Sequence, residues 1–141
     1  MRIEIVRTID DKLVSCINYL LTQLSSHPHP IDRESLEYII NSPASELIVA
    51  FDGDIAIGMV TLCNYNSPTG RKYWIEDVVV NHEYRGKSIG RLLVEKAIES
   101  AHTKGEGTMM LTSRPSRIAA NSLYRSMNFE SKETNVYKLK I

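Results

Sequence analysis

The sequence predicts an α/β (α+β) domain, with a mixed, mainly antiparallel central sheet of about six to seven strands flanked by about four helices. Three observations carry this reading. Apolar residues alternate in some short runs and recur at three- and four-residue spacing in others. Three β-type runs follow one another with only turn residues between them, which makes them successive antiparallel strands. The third of these runs reaches a fourth through a helix, and such a connection makes the pair parallel neighbours with a right-handed crossover.

Each element has a local cause. Residues 2–7 alternate Ile3 and Ile5 with charged neighbours, as a half-buried first strand does. Asp10 or Asp11 caps a helix whose apolar positions are Leu13, Ile17, Leu20, Leu21 and Leu24. Residues 25–30 break it. A second helix starts near Asp32, buries Leu36, Ile39 and Ile40, and ends at Asn41-Ser42-Pro43. Residues 46–51 and 55–64 are strands joined by the turn-forming Asp52-Gly53, and residues 66–70 turn the chain into a strand over 71–80. A helix follows with Ile89, Leu92, Leu93 and Ala97 on its apolar face, running to about Lys104 and stopping at Gly105. Residues 108–112 are a further strand. Ser116 is placed to cap a helix bearing Ile118, Ala119, Leu123 and Met127, and Val136, Leu139 and Ile141 belong to a last strand.

Composition narrows the function classes. A chain of 141 residues suits a single domain over residues 1–141. Seventeen Lys and Arg balance 17 Asp and Glu, so bulk charge recruits neither nucleic acid nor a membrane, and an anion site must be local. Cys16 and Cys63 lie far apart, in segments that read as helix and strand, and are expected to be free thiols. His27-Pro28-His29-Pro30 has no second ligand cluster beside it and reads as a loop, so no metal is expected. No run has membrane-spanning length, and residues 1–8 alternate like a strand rather than a signal peptide, so a cytoplasmic protein is expected.

The chemistry concentrates between Asp77 and Gly90. There a buried strand runs into a basic, glycine-bearing turn, Tyr84-Arg85-Gly86-Lys87-Ser88-Ile89-Gly90, and then into an amphipathic helix. Such a turn aims free backbone N–H groups and a helix N-terminus at one point, which suits a phosphorylated ligand. Gly86-Lys87-Ser88 matches the second half of a nucleoside-triphosphate P-loop, but the glycine required five residues earlier is Asn81. Only 53 residues follow Ser88, too few for the parallel sheet behind such a loop.

Read from Arg85, the run Arg85-Gly86-Lys87-Ser88-Ile89-Gly90 resembles the pyrophosphate loop of GNAT-type N-acetyltransferases, [QR]-x-x-G-x-[GA], set between a central strand and a long helix. The resemblance covers nearly the whole domain. The order of elements agrees, and Tyr124-Arg125-Ser126-Met127-Asn128-Phe129 is similar to the family's late helix with its tyrosine and terminal Gly-Phe. Two positions depart from the pattern: Ser88 and Asn128 stand where glycine is usual. Asn tolerates the left-handed helix cap. Ser88 crowds the pyrophosphate if it needs positive φ, and adds a hydroxyl donor if it is helical.

The resemblance implies acetyl-CoA as co-substrate and a small-molecule or peptide amine as acceptor, and leaves a homodimer open. The amides of Arg85, Gly86, Lys87, Ser88, Ile89 and Gly90 would bind the pyrophosphate, with the cations of Arg85 and Lys87 beside it. The backbone of Val78, Val79 and Val80 would pair with the pantetheine arm like an added strand. A lysine-like amine costs about 4.6 kcal/mol to deprotonate at neutral pH, so a base is expected. Glu76 and Asp77 are the nearest acids, on a strand expected to be largely buried, with side chains on opposite faces. Glu76 has the longer reach. Tyr124 matches the family's helix tyrosine, placed to protonate the leaving thiolate, and Arg117 and Asn121 share its helical face toward ligand. Tyr73 and Trp74 either line the acceptor pocket or cover the sheet. A non-catalytic acyl-CoA-binding or sensing module is the alternative; it would keep the loop without needing Glu76 or Tyr124.

Overall fold

A computed structural model describes residues 1–141. The chain forms two compact units, Met1–Leu111 and Thr112–Ile141. The first contains β1 (Arg2–Ile5), α1 (Asp11–Leu24), α2 (Arg33–Asn41), β2 (Ser45–Asp52), β3 (Ile55–Ser67), β4 (Gly70–Val80), α3 (Ile89–Lys104) and β5 (Thr108–Met110). Both early helices begin where an aspartate supplies the missing acceptor: Asp10 takes the N–H of Leu13 at 2.8 Å and Asp32 that of Ser35 at 2.8 Å.

The five strands lie in the order β1-β2-β3-β4-β5, antiparallel up to β4 and parallel between β4 and β5. The mixed sheet flanked by helices is the fold the sequence predicts. Both faces of β2 and β3 are buried, so their side chains divide between two cores, and a register shift between Ala50 and Phe51, where Ile57 is the extra residue, swaps the parity of β3 between Ile57 and Met59. Leu47, Val49, Phe51 and Met59 join Leu13, Ile17, Leu20 and Leu36 of α1 and α2 in one core. Ile48, Ala50, Ile57, Val60 and Leu62 join Ile89, Leu93, Ala97 and Ala101 of α3 in another. Each Leu, Ile, Val, Phe or Met side chain among them, taken fully out of water, contributes about 1.5–3 kcal/mol. The buried stripe of α3 is rotated from the expected one: Val94 is inside, and Leu92 is at the surface. Gly58 lets α3 approach, since a Cβ there would lie 3.1 Å from both Leu93 Cδ1 and the Val79 carbonyl oxygen. Tyr73 is a core residue whose hydroxyl donates to the carbonyls of Ala101 and Gly105 at 3.1 and 2.7 Å. It covers the sheet as part of the α3-side core.

In the second unit, α4 (Ile118–Ser126) starts after Arg117, and no side chain caps it. The expected cap by Ser116 is not made. Instead Asn121 Nδ2 donates back to the carbonyls of Arg114 and Arg117, each at 2.9 Å, and fixes the entry to the helix. The exit is a left-handed cap at Asn128, φ 70°, as the sequence predicts. The N–H of Phe129 reaches the Tyr124 carbonyl at 3.0 Å and that of Asn128 reaches Arg125 at 3.1 Å. The Tyr124 and Phe129 rings pack edge to face at 5.9 Å, the apolar contact that accompanies this double-bonded ending. The last strand expected around Val136, Leu139 and Ile141 does not form, and these side chains are exposed. Alternation assigns side chains to faces, but a strand also needs a ladder partner, and these residues have none.

Candidate active site

Two irregularities of β4 create the site in the first unit. The first is in its pairing with β3. Met59 opposes Val79 and Thr61 opposes Glu76, so Val60 faces two residues, Asp77 and Val78. Asp77 absorbs the extra residue with φ 54°, a conformation that Asp tolerates better than most side chains. The bulge switches the parity of the strand: Ile75 lies on the α3 side, and so do Val78 and Val80, while Val79 joins the opposite core. Asp77, at the bulge, is therefore exposed beside Glu76, which precedes it on the face of Trp74, and the two acids are not largely buried as the sequence predicts. Both carboxylates bear on Cys63, whose thiol is pushed up first by burial and then by the charges of Glu76 and Asp77. The carboxyl of Glu76 is likewise raised above its usual range, first by burial and then by the neighbouring charge of Asp77. One acid is thus held closer to neutrality by the other.

The second irregularity is on the opposite edge. β5 stays with β4 for only three residue pairs, Lys72 with Thr108, Tyr73 with Met109 and Trp74 with Met110. From Ile75 to the end of β4 that edge has no ladder partner. Its backbone donors and acceptors are available to an extended, amide-bearing ligand.

Beyond β4 the chain is pinned before it turns. Asn81 is buried, donates its N–H to Ile57 at 2.8 Å, and accepts the N–H of Glu83 through its side chain at 3.1 Å. The His82 N–H reaches Gln23 of α1 at 2.8 Å. The sequence at Asn81 shows only that a P-loop glycine is missing. The residue's positive role is to cap a single 3-10 turn, His82–Tyr84, that aims the basic segment. Tyr84 donates to Asp52 at 3.0 Å, and the Lys87 ammonium lies 5.2 Å from the Tyr84 ring. Arg85, Gly86, Lys87 and Ser88 are exposed, while Ile89 is buried and anchors the start of α3. Gly86 has φ 80°. Ser88 takes φ 61° and ψ 18°, which is left-handed, and its hydroxyl makes no cap bond. Of the two conformations open to Ser88 in the sequence, this is the one that crowds a ligand. The first N–H groups of α3 have no carbonyl of the helix itself to meet, and the positive end of its dipole faces the turn.

In the second unit, Arg117 and Tyr124 share a face of the α4 segment. Tyr124 is buried, and its phenol is raised by burial, with the Arg117 charge pulling the other way. It keeps its proton at neutral pH, and its hydroxyl has no hydrogen-bond partner in the chain. Both amide protons of Asn121 are taken by Arg114 and Arg117, so only its carbonyl oxygen remains for a ligand. Gln23 and Gly58, and the Tyr84 contact with Asp52, escape a motif-based reading, because each acts through a partner distant in sequence.

The sequence model of the acetyltransferase (GNAT) family matches residues 10–129. The chain is 35% identical over 63 residues to thialysine N-epsilon-acetyltransferase of Sus scrofa; the match covers 45% of this chain and 37% of that protein. Among solved structures, a putative acetyltransferase from Agrobacterium tumefaciens superposes with a TM-score of 0.86 at 19% identity, covering 99% of this chain and all of that one. An aminoglycoside acetyltransferase from an uncultured soil metagenomic sample, in complex with sisomicin, gives 0.82 at 18% identity, covering 99% and 95%.

Proposed function

The chain belongs to the GNAT family of acetyltransferases, and on that premise we propose that it moves an acetyl group from acetyl-CoA to a primary amine of a small molecule or peptide by direct attack. The observation that carries the reading is the unpaired edge of β4 beyond Trp74, running into the basic turn at the start of α3. Val78, Val79 and Val80 offer the pantetheine amides a strand to pair with, and an N–H on that edge polarises the thioester carbonyl as charge builds on its oxygen. Arg85 and Lys87, with the amides of Gly86, Lys87, Ser88, Ile89 and Gly90, hold the pyrophosphate. Arg117 and the free carbonyl of Asn121 are assigned to coenzyme contacts.

Glu76 is the base. Its raised pKa brings it nearer neutrality, where a carboxylate still ionised accepts a proton most usefully. Asp77 tunes it through its charge. The amine nitrogen loses one proton before it attacks and a second as the C–N bond is completed and the C–S bond breaks. Glu76 takes the first and passes it to solvent; the departing thiolate takes a proton from Tyr124, and the amine's second proton returns to that tyrosinate through solvent, so each turnover releases one proton and restores the phenol. Neither cysteine is needed as a nucleophile: Cys63 has a raised pKa and stays a thiol. Free thiols suit the reducing cytoplasm, where we place the reaction.

Thiol release from acetyl-CoA across a panel of amines tests this. The expected result is turnover of at least one amine, slowed about 10- to 100-fold in kcat by Tyr124→Phe with little change in coenzyme affinity. Coenzyme binding with no turnover of any amine would favour a sensing module instead.

A further inference from the structure

The face of β4 that carries Glu76 carries a second recognition element. Trp74 stands two residues earlier on the same face, opposite Cys63, and Tyr65 follows diagonally on β3, opposite Lys72. Trp74 Nε1 donates to the Tyr65 hydroxyl at 3.3 Å. Neither ring belongs to a core: Trp74 is half-buried and Tyr65 is 49% exposed. Lys72, on the same face, is turned away, its ammonium held by the Thr69 hydroxyl at 2.7 Å and the Gly70 carbonyl at 3.4 Å. What remains is an aromatic wall beside two exposed carboxylates, with no cation bonded to either.

We propose that this face selects acceptors carrying two ammonium groups, one delivered to Glu76 and the other lodged against Trp74 and Tyr65. This rests on the acetyl-transfer reading above and names its acceptor class. The paired carboxylates attract cations, and the negative ring faces favour an ammonium over a neutral group. Two residues along a strand span about 6.6 Å. That is the nitrogen–nitrogen distance of an extended alkane diamine with about four methylenes. A monoamine of the same length leaves the aromatic site unfilled. An acceptor with a negative group at that distance meets Glu76 and Asp77 unfavourably.

The test compares kcat/KM for 1,4-diaminobutane and n-butylamine in the wild-type enzyme, in Trp74→Leu and in Tyr65→Leu. The wild type is expected to prefer the diamine by about tenfold, mainly through KM. Each substitution is expected to lower that ratio about three- to tenfold. Tyr65 is largely at the surface, so its variant reports even if Trp74→Leu folds poorly. Equal kcat/KM for the two amines, or an unchanged ratio in both variants, overturns the diamine inference while leaving acetyl transfer intact. Absence of turnover with either amine and with the wider panel, despite coenzyme binding, overturns the transfer reading and the inference with it.

Discussion

At the scale of single residues, Glu76, the proposed base, would trade stability for reactivity. Its carboxyl is held above its usual range by partial burial and by Asp77, so the folded state binds its proton more tightly than the unfolded chain does. The stability this contributes is complete below the unfolded value of about 4.5 and is lost as pH rises through the higher folded value. At neutral pH the ionised residue is therefore a small liability. Glu76→Gln is expected to raise Tm at pH 7 and to lose that gain below about pH 4.5. The same variant should lose the rising limb of the kcat/KM pH profile, which in the wild type lies above the ordinary glutamate range. A wild-type profile flat from pH 5 to 8, measured by thiol release, would remove Glu76 from the role of base. Tyr124 is the opposite case, since burial keeps the phenol protonated and ready to donate.

At the scale of elements, the N-terminus of α3 carries the local conflict. Ser88 holds a left-handed backbone without a compensating cap bond, at a cost of about 1–2 kcal/mol for a side chain in that region. Glycine there relieves the strain but adds about 0.5–1 kcal/mol of unfolded-state entropy. Relief exceeds entropy, so Ser88→Gly is expected to stabilise the protein by about 0.5–1 kcal/mol in denaturant unfolding. It should also tighten acetyl-CoA binding in calorimetry by opening the turn to the pyrophosphate. Tighter binding by the wild type would mean that the hydroxyl is a ligand donor and not an obstruction. The ending of α4 carries no such conflict. Asn128 adopts the left-handed cap and the Tyr124–Phe129 contact closes over it, so departure from glycine there is tolerated by the side chain best suited to it.

At the scale of the whole molecule, 17 basic and 17 acidic residues leave no net charge to steer an anion. On the proposed reading, attraction for the coenzyme comes from Arg85, Lys87 and the start of α3. Acetyl-CoA affinity is expected to weaken with rising salt, and Arg85→Ala combined with Lys87→Ala should flatten that dependence while weakening binding about tenfold at low salt. An unchanged salt slope in the double variant would place the phosphates elsewhere. The sequence by itself determined the order of elements through β5 and α4, helix starts at Asp10 or Asp11 and near Asp32, the left-handed Asn128 and the basic turn. These are set by residues within a turn or two of each other, and local geometry leaves a readable period. It misplaced Ser116 as a cap and Val136, Leu139 and Ile141 as a strand, because a cap and a strand are completed by partners that spacing does not name. Only the tertiary structure decided that β4 carries a bulge at Asp77 and parts from β5 after Trp74. Both follow from pairing across strands, where one extra residue on one side shifts every side chain beyond it to the other face. The bulge takes Asp77 out of the row that Ile75 occupies and leaves it exposed beside Glu76, on a strand whose sequence reads as regular and buried.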